Sequence, residues 1–179
     1  TTMPDYRRQT PKWTIFSFLA VLLAALFGAA GAAHAQCSNP ANAIVAENCL
    51  TGNPSSEWDI NNGDAGDPTI QGFATDISVN HGSTISLKIK TAASAYTINI
   101  YRMGYYGGMG ARKVATITPS AHLPQTQPAC VTDATVGLAD CGNWAVSASW
   151  AVPASATSGI YFAHLVRADT GGDSHIVFI

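Results

Sequence analysis

Short β-type runs separated by turn residues constrain this chain most, and the longest of them spans residues 96–118. In its first half Ile98 and Ile100 alternate with polar neighbours. A loop of glycine and tyrosine follows at 104–110, and a second β-type run covers residues 114–118. Alternation with a period of two places one face of a strand on a core and the other in solvent. The pattern predicts a hairpin in a sandwich or barrel, with a shaped loop at its tip.

The same alternation recurs along the chain. Residues 84–90 are the clearest case, because Ile85, Leu87 and Ile89 alternate with polar side chains. Further strands are predicted over 70–73, 76–80, 144–152, 160–167 and from residue 175 onward, with no helical periodicity. About eight short strands predict an all-β, immunoglobulin-like or fibronectin-like antiparallel β-sandwich. A further short apolar run at 44–46 is expected to be an edge strand or an extended arm.

A tyrosine near the start of the predicted strand 160–167 supports the sandwich interpretation. In immunoglobulin-like sandwiches a tyrosine at a corner between strands bonds back to the backbone just upstream. Here a proline corner at Pro153 and a Ser158-Gly159 turn lead into Tyr161, the candidate for that role.

The first 35 residues have the features of a secretory signal peptide. Arg7, Arg8 and Lys12 precede an apolar stretch at 13–27, and small residues lead to Ala33-His34-Ala35. This order predicts cleavage before Gln36, with residues 36–179 as the exported domain. The alternative is an uncleaved membrane anchor, which would be the protein's one membrane contact. The predicted localisation is secreted, periplasmic or cell-surface.

Charge after the predicted cleavage argues against nucleic-acid binding. Six Lys/Arg and ten Asp/Glu remain, a formal charge of −4, and the bases are scattered. Nucleic-acid binding needs a clustered basic surface. No nucleic-acid partner is therefore expected.

All four cysteines follow the predicted cleavage site, and an even number in an exported chain predicts two disulfides. Three pairings are possible. Local pairing of Cys37 with Cys49, and of Cys130 with Cys141, is favoured because each bond closes a short loop-rich segment. A zinc site is not indicated, because there is no CxxC motif and, after the predicted cleavage site, no histidine lies within a few residues of a cysteine.

Oxygen-bearing side chains in the segment 59–67 form a weak candidate for calcium. The candidate ligands are Asp59, Asn61, Asp64 and Asp67, but their order differs from an EF-hand loop. Asn, Asp and Gly are also ordinary turn residues, so a plain loop is the competing interpretation. No other cofactor is indicated.

The glycine-rich loop is the candidate binding element. A phosphate-binding loop would need a following helix, which the sequence lacks, and no Gly-x-Ser-x-Gly motif indicates a hydrolase nucleophile. Tyr105 and Tyr106 could stack on a sugar ring or pack against a neighbouring domain, and the second is favoured. Arg102 and Arg112, which flank the loop, could pair with acids across such an interface.

Two stretches carry a family resemblance: GDPTIQGFATDISVNHGSTISLKIKT at 66–91 and YTINIYRMGYYGGMGARKVATI at 96–117. Over residues 42–179 the chain resembles the N-terminal β-domain of large exported bacterial proteins related to the large (beta) subunit of N,N-dimethylformamidase. The resemblance implies an immunoglobulin-like module that precedes a larger domain. Amidohydrolase chemistry, with iron bound by tyrosine and glutamate, would belong to that later domain, so no catalytic or metal residue is assigned here.

The expected function is therefore that of a non-catalytic β-sandwich module packing against a downstream domain of the same polypeptide. The chain starts without methionine and stops within a predicted strand, so it is expected to be a fragment truncated at its C-terminus. The alternative is a carbohydrate-binding or cell-surface adhesion module. An enzyme complete in these residues is the least favoured possibility.

Overall fold

The computed structural model describes residues 37–60 and 66–179. By contacts the chain divides into two compact units, Thr1–Ala41 and Asn42–Ile179. The predicted signal peptide lies outside the described residues, and the unit described below is the second. Within the described part of the chain, every helix is too short or too polar to span a bilayer.

The second unit is almost entirely β-structure. One short helix, α1 (Ala43–Asn48), and two single 3₁₀ turns, Ser55–Glu57 and Tyr106–Gly108, accompany nine described strands. The strands are β1 (Ile70–Ala74), β2 (Thr84–Thr91), β3 (Tyr96–Met103), β4 (Ala111–Ile117), β5 (Val131–Asp133), β6 (Leu138–Asp140), β7 (Ala148–Ala151), β8 (Tyr161–Arg167) and β9 (Asp173–Phe178).

The strands form two main antiparallel sheets and a small hairpin. One sheet has the order β1-β2-β7, the other has the order β4-β3-β8-β9, and β5 pairs with β6. All pairings are antiparallel. The predicted all-β class is confirmed.

Apolar side chains from both main sheets meet in one core. Ile85, Leu87 and Ile89 project from β2 and are 0% exposed, as predicted from their alternation. The opposite sheet contributes, among others, Ile98, Ile100, Leu165, Ile176 and Phe178. Burying each such side chain contributes about 1.5–3 kcal/mol, so this shared core holds the two sheets face to face.

The outer face of the four-stranded sheet is partly covered by the segment that carries Trp58. The Trp58 ring lies 6.0 Å from the ring of Phe162, and His175 Nε2 donates to the Trp58 carbonyl at 2.6 Å. His164 on β8 is buried, and its Nε2 lies 2.8 Å from Asp173 Oδ2. Burial lowers the pKa of His175, which favours the neutral ring in this contact.

Three local predictions are wrong. The run at 44–46 belongs to helix α1 rather than to a strand or extended arm, because Asn42 caps it by accepting from the Val45 amide at 3.0 Å. Residues 76–80 form no sheet strand, although the backbone amide of Val79 donates to the carbonyl of Ile179. The strand predicted over 144–152 is shorter, since β7 begins only at Ala148.

The long connection at 119–143 contains a small sheet of its own. It contains the β5–β6 hairpin, and the Cys130–Cys141 disulfide joins the residues just outside its two strands. Every residue of the two hairpin strands is exposed, so the disulfide stabilises a segment that has no core of its own.

Candidate functional site

The glycine-rich loop closes β3 onto β4 through an unusual backbone path. Gly107, Gly108 and Gly110 have positive φ angles, and Tyr106 adopts φ 42°. The Gly104 amide donates to the Gly110 carbonyl at 3.0 Å, which closes the loop. A Cβ at Gly110 would lie 2.9 Å from the Trp58 ring, so glycine is required there both for conformation and for space.

Tyr106, one of the two predicted binding tyrosines, points into the protein. It is 2% exposed, and its hydroxyl donates to Glu47 Oε1 at 2.9 Å and accepts from Arg102 Nη1 at 3.0 Å. Burial raises the pKa of Tyr106, which keeps the phenol protonated and able to donate. Tyr106 therefore stabilises the loop and is not exposed for binding a ligand.

Arg102 is also buried, at 3% exposure. Its guanidinium donates to the carbonyls of Ser158 at 2.7 Å, Met103 at 3.2 Å and Thr157 at 3.3 Å, besides the Tyr106 hydroxyl. A Cβ at Gly159 would lie 2.9 Å from Nη2, so the backbone at this glycine packs directly on the guanidinium. Arg102 thus ties the loop to the corner that precedes β8.

Arg112 finds its acidic partner within the same unit. Its Nη2 and Nε lie 2.6 and 2.9 Å from Glu47 Oε1, and Glu47 is on helix α1. The Glu47 side chain is 10% exposed and that of Arg112 is 26% exposed. We name the four side chains Glu47, Arg102, Tyr106 and Arg112 the loop cluster.

Tyr105 is the predicted binding residue that faces solvent, with 66% of its surface exposed. Its backbone amide is fixed by Asn48 Oδ1 at 2.6 Å. Met103, the last residue of β3, and Met109 on the same loop are also exposed. Ile160 is 47% exposed, and its carbonyl accepts from the Met103 amide at 2.9 Å. We name Met103, Tyr105, Met109 and Ile160 the end surface.

The corner tyrosine makes the predicted contact. The Tyr161 hydroxyl donates to the carbonyl of Thr157, four residues upstream, at 2.5 Å. This confirms that Tyr161 ties down the loop before its strand. The same carbonyl accepts from Arg102, so the tyrosine and the arginine fix one corner together.

The loop cluster does not suit the iron of the resembled amidohydrolases. It contains a tyrosine and a glutamate, but two guanidinium groups contact them, and a cation would be repelled there. Among residues 37–60 and 66–179, no group of three or more His, Cys, Asp or Glu could hold a metal.

The predicted calcium ligands are only partly described, since Asn61 and Asp64 lie outside the described residues. Asp59 is exposed, and Asp67 Oδ1 accepts from the Thr69 amide at 2.7 Å and from the Thr69 hydroxyl at 2.6 Å. These hydrogen bonds lower the pKa of Asp67. The calcium site stays a prediction.

The predicted pairing of Cys130 with Cys141 is confirmed. Cys37 and Cys49 are also disulfide-bonded, so none of the four cysteines is a free thiol. Disulfides persist in oxidising compartments, which indicates a location outside the reducing cytoplasm.

Sequence reasoning missed Glu47, which accepts hydrogen bonds from two members of the loop cluster. Its separation from Arg112 is 65 positions, so no local pattern connects them. The available signal was Asn42, a residue type that favours helix N-termini, followed by helix-compatible residues through Asn48. Had a helix been predicted there, Glu47 would have stood out as its single acidic residue, held in place by the helix.

Comparison with known families identifies the region that contains this loop. Residues 97–179 match the family described as N,N-dimethylformamidase beta subunit-like, C-terminal. The resemblance to that beta subunit is thereby confirmed over these residues. No curated protein matches the chain.

The matched region begins in β3 and includes both the end surface and Tyr161, whereas Glu47 lies outside it. The family description refers to a C-terminal part, while the resemblance was drawn to an N-terminal β-domain. The position of this unit within a longer polypeptide therefore stays a prediction.

Proposed function

We propose that this chain is a non-catalytic, immunoglobulin-like β-sandwich module of a secreted protein related to the N,N-dimethylformamidase beta subunit, and that its end surface docks a further domain of the same polypeptide. The proposal rests on a contrast at the β3–β4 loop between buried polar side chains and exposed apolar ones. The Arg102 guanidinium and the Tyr106 hydroxyl are bound to internal partners, while Met103, Tyr105 and Met109 remain exposed.

The immunoglobulin-like or fibronectin-like assignment is supported by strand order. Labelled A, B, C, C′, E, F and G in chain order, β1, β2, β3, β4, β7, β8 and β9 give sheets A-B-E and C′-C-F-G. A G-F-C sheet extended by C′ is an arrangement found in this fold class. The bond from Tyr161 to Thr157 matches the tyrosine corner of that class.

Docking at the end surface is supported by where the last strand ends. Phe178 pairs with Tyr161, and Tyr161 pairs with Arg102, so Ile179 lies at the same end of the sheet as the loop. A polypeptide that continued from Ile179 would leave beside the end surface. Exposed apolar side chains gathered at one site favour a protein contact.

A non-catalytic role is supported by the burial and the internal hydrogen bonds of the polar groups in the loop cluster. The Tyr106 hydroxyl and the Arg102 guanidinium are buried and committed to internal partners. Neither can act on a substrate without breaking the loop. Purified protein is therefore expected to leave N,N-dimethylformamide unhydrolysed, and measurable hydrolysis would contradict this part of the proposal.

Secretion is supported by the disulfides together with the predicted cleavage before Gln36. N-terminal sequencing of the protein from a culture of its native host tests this directly. We expect Gln36 as the first residue in the extracellular or periplasmic fraction. Recovery of an intact N-terminus in the cytoplasm would contradict secretion.

Docking is tested by photo-crosslinking in the product of the complete gene. A photoreactive amino acid replaces Tyr105, and the matched control replaces Val136, which is 73% exposed on the β5–β6 hairpin. We expect crosslinks from position 105 to peptides beyond residue 179 and none from position 136. Equal crosslinking from both positions, or none from position 105, would overturn the docking role.

Glycan binding at the loop remains the second candidate. Exposure of the Tyr105 ring favours it, because an exposed aromatic face can stack on a sugar. A glycan array with Tyr105→Ala as the variant tests this candidate. Unchanged binding would count against it.

A further inference from the structure

Aromatic and basic side chains also meet on the outer face of the three-stranded sheet. Phe73 is on β1, Lys88 and Lys90 are on β2, and Trp144 lies in the segment before β7. We name these four side chains the outer patch. On β2 the inward positions are fully buried, so Lys88 and Lys90 project away from the core.

The four groups are interleaved. The rings of Phe73 and Trp144 are 5.6 Å apart with an interplanar angle of 46°. Lys88 Nζ lies 5.9 Å from the centre of the Phe73 ring, and Lys90 Nζ lies 6.0 Å from that of Trp144. Each ammonium group is thus within range of a cation–π contact with a partly exposed ring.

Neighbouring segments hold the patch in place before any ligand arrives. Trp144 Nε1 donates to the Pro128 carbonyl at 3.0 Å, and Lys88 Nζ donates to the Gly142 carbonyl at 2.7 Å. Both carbonyls lie beside the Cys130–Cys141 disulfide. A ring fixed in this way loses little conformational entropy on binding.

The positive charge of the patch is not neutralised by a described residue. The ion pairs among the described residues are Arg112–Glu47, His164–Asp173 and Arg167–Asp169, and neither lysine takes part. Lys90 is also exposed. An anion at this position would gain two ammonium partners without displacing an existing salt bridge.

A shallow cleft adjoins the two rings. It has a volume of about 300 Å³ and is lined by Gln71, Gly72, Phe73, Trp144 and Ser174. This volume is at the lower end of the range for small-molecule sites, which suits one or two sugar rings rather than a large ligand. Gln71 lies opposite Lys90 across the β1–β2 pair and supplies an amide for hydroxyl groups.

We propose that the outer patch binds an acidic glycan, with a pyranose ring stacked on Phe73 and Trp144 and its carboxylate or sulfate held by Lys88 and Lys90. Stacking uses the apolar C–H face of the sugar, and the ammonium groups supply charge-assisted hydrogen bonds. Two lysines in a chain of net charge −2 fall short of the basic surface that a nucleic acid requires. This site is separate from the end surface and does not depend on docking there.

Isothermal titration calorimetry with the purified protein tests the proposal. The probes are hexagalacturonate, a sulfated galactan oligosaccharide of similar length, neutral cellohexaose and oligo-dT. We expect the uronate or the sulfated probe, or both, to bind at least about tenfold more tightly than cellohexaose and oligo-dT, a difference of about 1.4 kcal/mol. Comparison of hexagalacturonate with the sulfated oligosaccharide shows whether a carboxylate or a sulfate is preferred. No binding, equal binding of neutral and acidic probes, or tighter binding of oligo-dT would overturn the proposal.

Variants assign the binding to the patch. Lys90→Gln changes an exposed residue and is expected to weaken acidic-glycan binding about fivefold or more, with reduced salt dependence. Lys113→Gln, an exposed lysine on β4 of the other sheet, is the matched control and is expected to change nothing. Trp144→Ala should abolish binding, and circular dichroism checks its fold. An unchanged affinity in Lys90→Gln would overturn the assignment even if Trp144→Ala failed to fold.

Discussion

The loop cluster and the outer patch both combine basic with aromatic side chains, but they differ in burial and in hydrogen-bond partners. In the loop cluster Arg102 is 3% exposed and its guanidinium contacts three carbonyls and a phenol. In the outer patch Lys90 is exposed, lies over the Trp144 ring and takes part in no ion pair among the described residues. The Arg102 guanidinium is thus bound to internal partners, whereas the Lys90 ammonium group stays accessible to a ligand.

This difference shows that residue type alone does not distinguish a structural site from a binding site. A planar guanidinium can satisfy several carbonyls at once and can therefore be buried, whereas lysine carries a strongly hydrated point charge that favours the surface. Glycines near Arg102 let the backbone approach it, as at Gly159. A cluster of basic and aromatic side chains is structural when it is buried and when neighbouring groups in the fold satisfy its hydrogen bonds.

Replacement of Arg102 should have the largest effect on stability. Arg102→Ala removes the guanidinium that donates to partly buried carbonyls and to the buried Tyr106 hydroxyl, and a hydrogen bond to a charged group contributes about 1.5–3 kcal/mol. We expect the free energy of unfolding to fall by about 3–5 kcal/mol in urea denaturation. Arg102→Lys should rescue little of it, because an ammonium group cannot reproduce the planar fork. A loss below about 1 kcal/mol would show that the loop cluster is not a scaffold.

Loss of the corner hydroxyl should have a smaller effect. Tyr161→Phe keeps the ring in the core but removes the hydrogen bond to Thr157, which should lower the free energy of unfolding by about 1–2 kcal/mol. The matched control is Tyr105→Phe, which alters an exposed ring and should change stability by less than about 0.5 kcal/mol. Equal effects of the two substitutions would refute the role assigned to the corner.

Alkaline pH should weaken the loop cluster through Tyr106. Burial raises its pKa in the folded chain, while the unfolded phenol titrates near its usual value of about 10. The stabilising contribution is complete below about pH 10 and is lost as pH rises through the folded-state pKa, because the unfolded state releases its proton first. Urea denaturation across this range should show a fall that is shallower in Tyr106→Phe.

Part of the loss of stability at alkaline pH should persist in Tyr106→Phe, since burial also raises the pKa of Tyr96, to about 12. The double variant Tyr96→Phe/Tyr106→Phe should therefore be flatter still. Identical pH profiles for the wild type and Tyr106→Phe would mean that the phenol does not titrate differently in the folded state.

Removal of a patch lysine should have the smallest effect on stability. Lys90→Gln should change the free energy of unfolding by less than about 0.5 kcal/mol, because the side chain is exposed and its cation–π contact is solvated. Thermal denaturation compared with Lys113→Gln measures this. A loss above about 1.5 kcal/mol would make the outer patch a scaffold like the loop cluster and erase the contrast between them.

The all-β class and the inward face of β2 could be predicted from the sequence, which also favoured the Cys130–Cys141 pairing and offered Tyr161 as the corner residue. These features depend on local signals: alternation with period two, turn residues and short separations in the chain. Helix α1 was missed because three apolar residues are too few to distinguish a turn of helix from a strand.

Which of the two adjacent tyrosines faces solvent depends on contacts between segments that are distant in the chain. A positive φ at Tyr106 turns that ring inward to Glu47, a residue 59 positions away, and leaves Tyr105 exposed. The outer patch likewise joins β1, β2 and a segment more than fifty residues further along the chain. Contacts between such distant residues depend on which strands become neighbours and on the backbone path of the loop, and a pattern within one strand specifies neither.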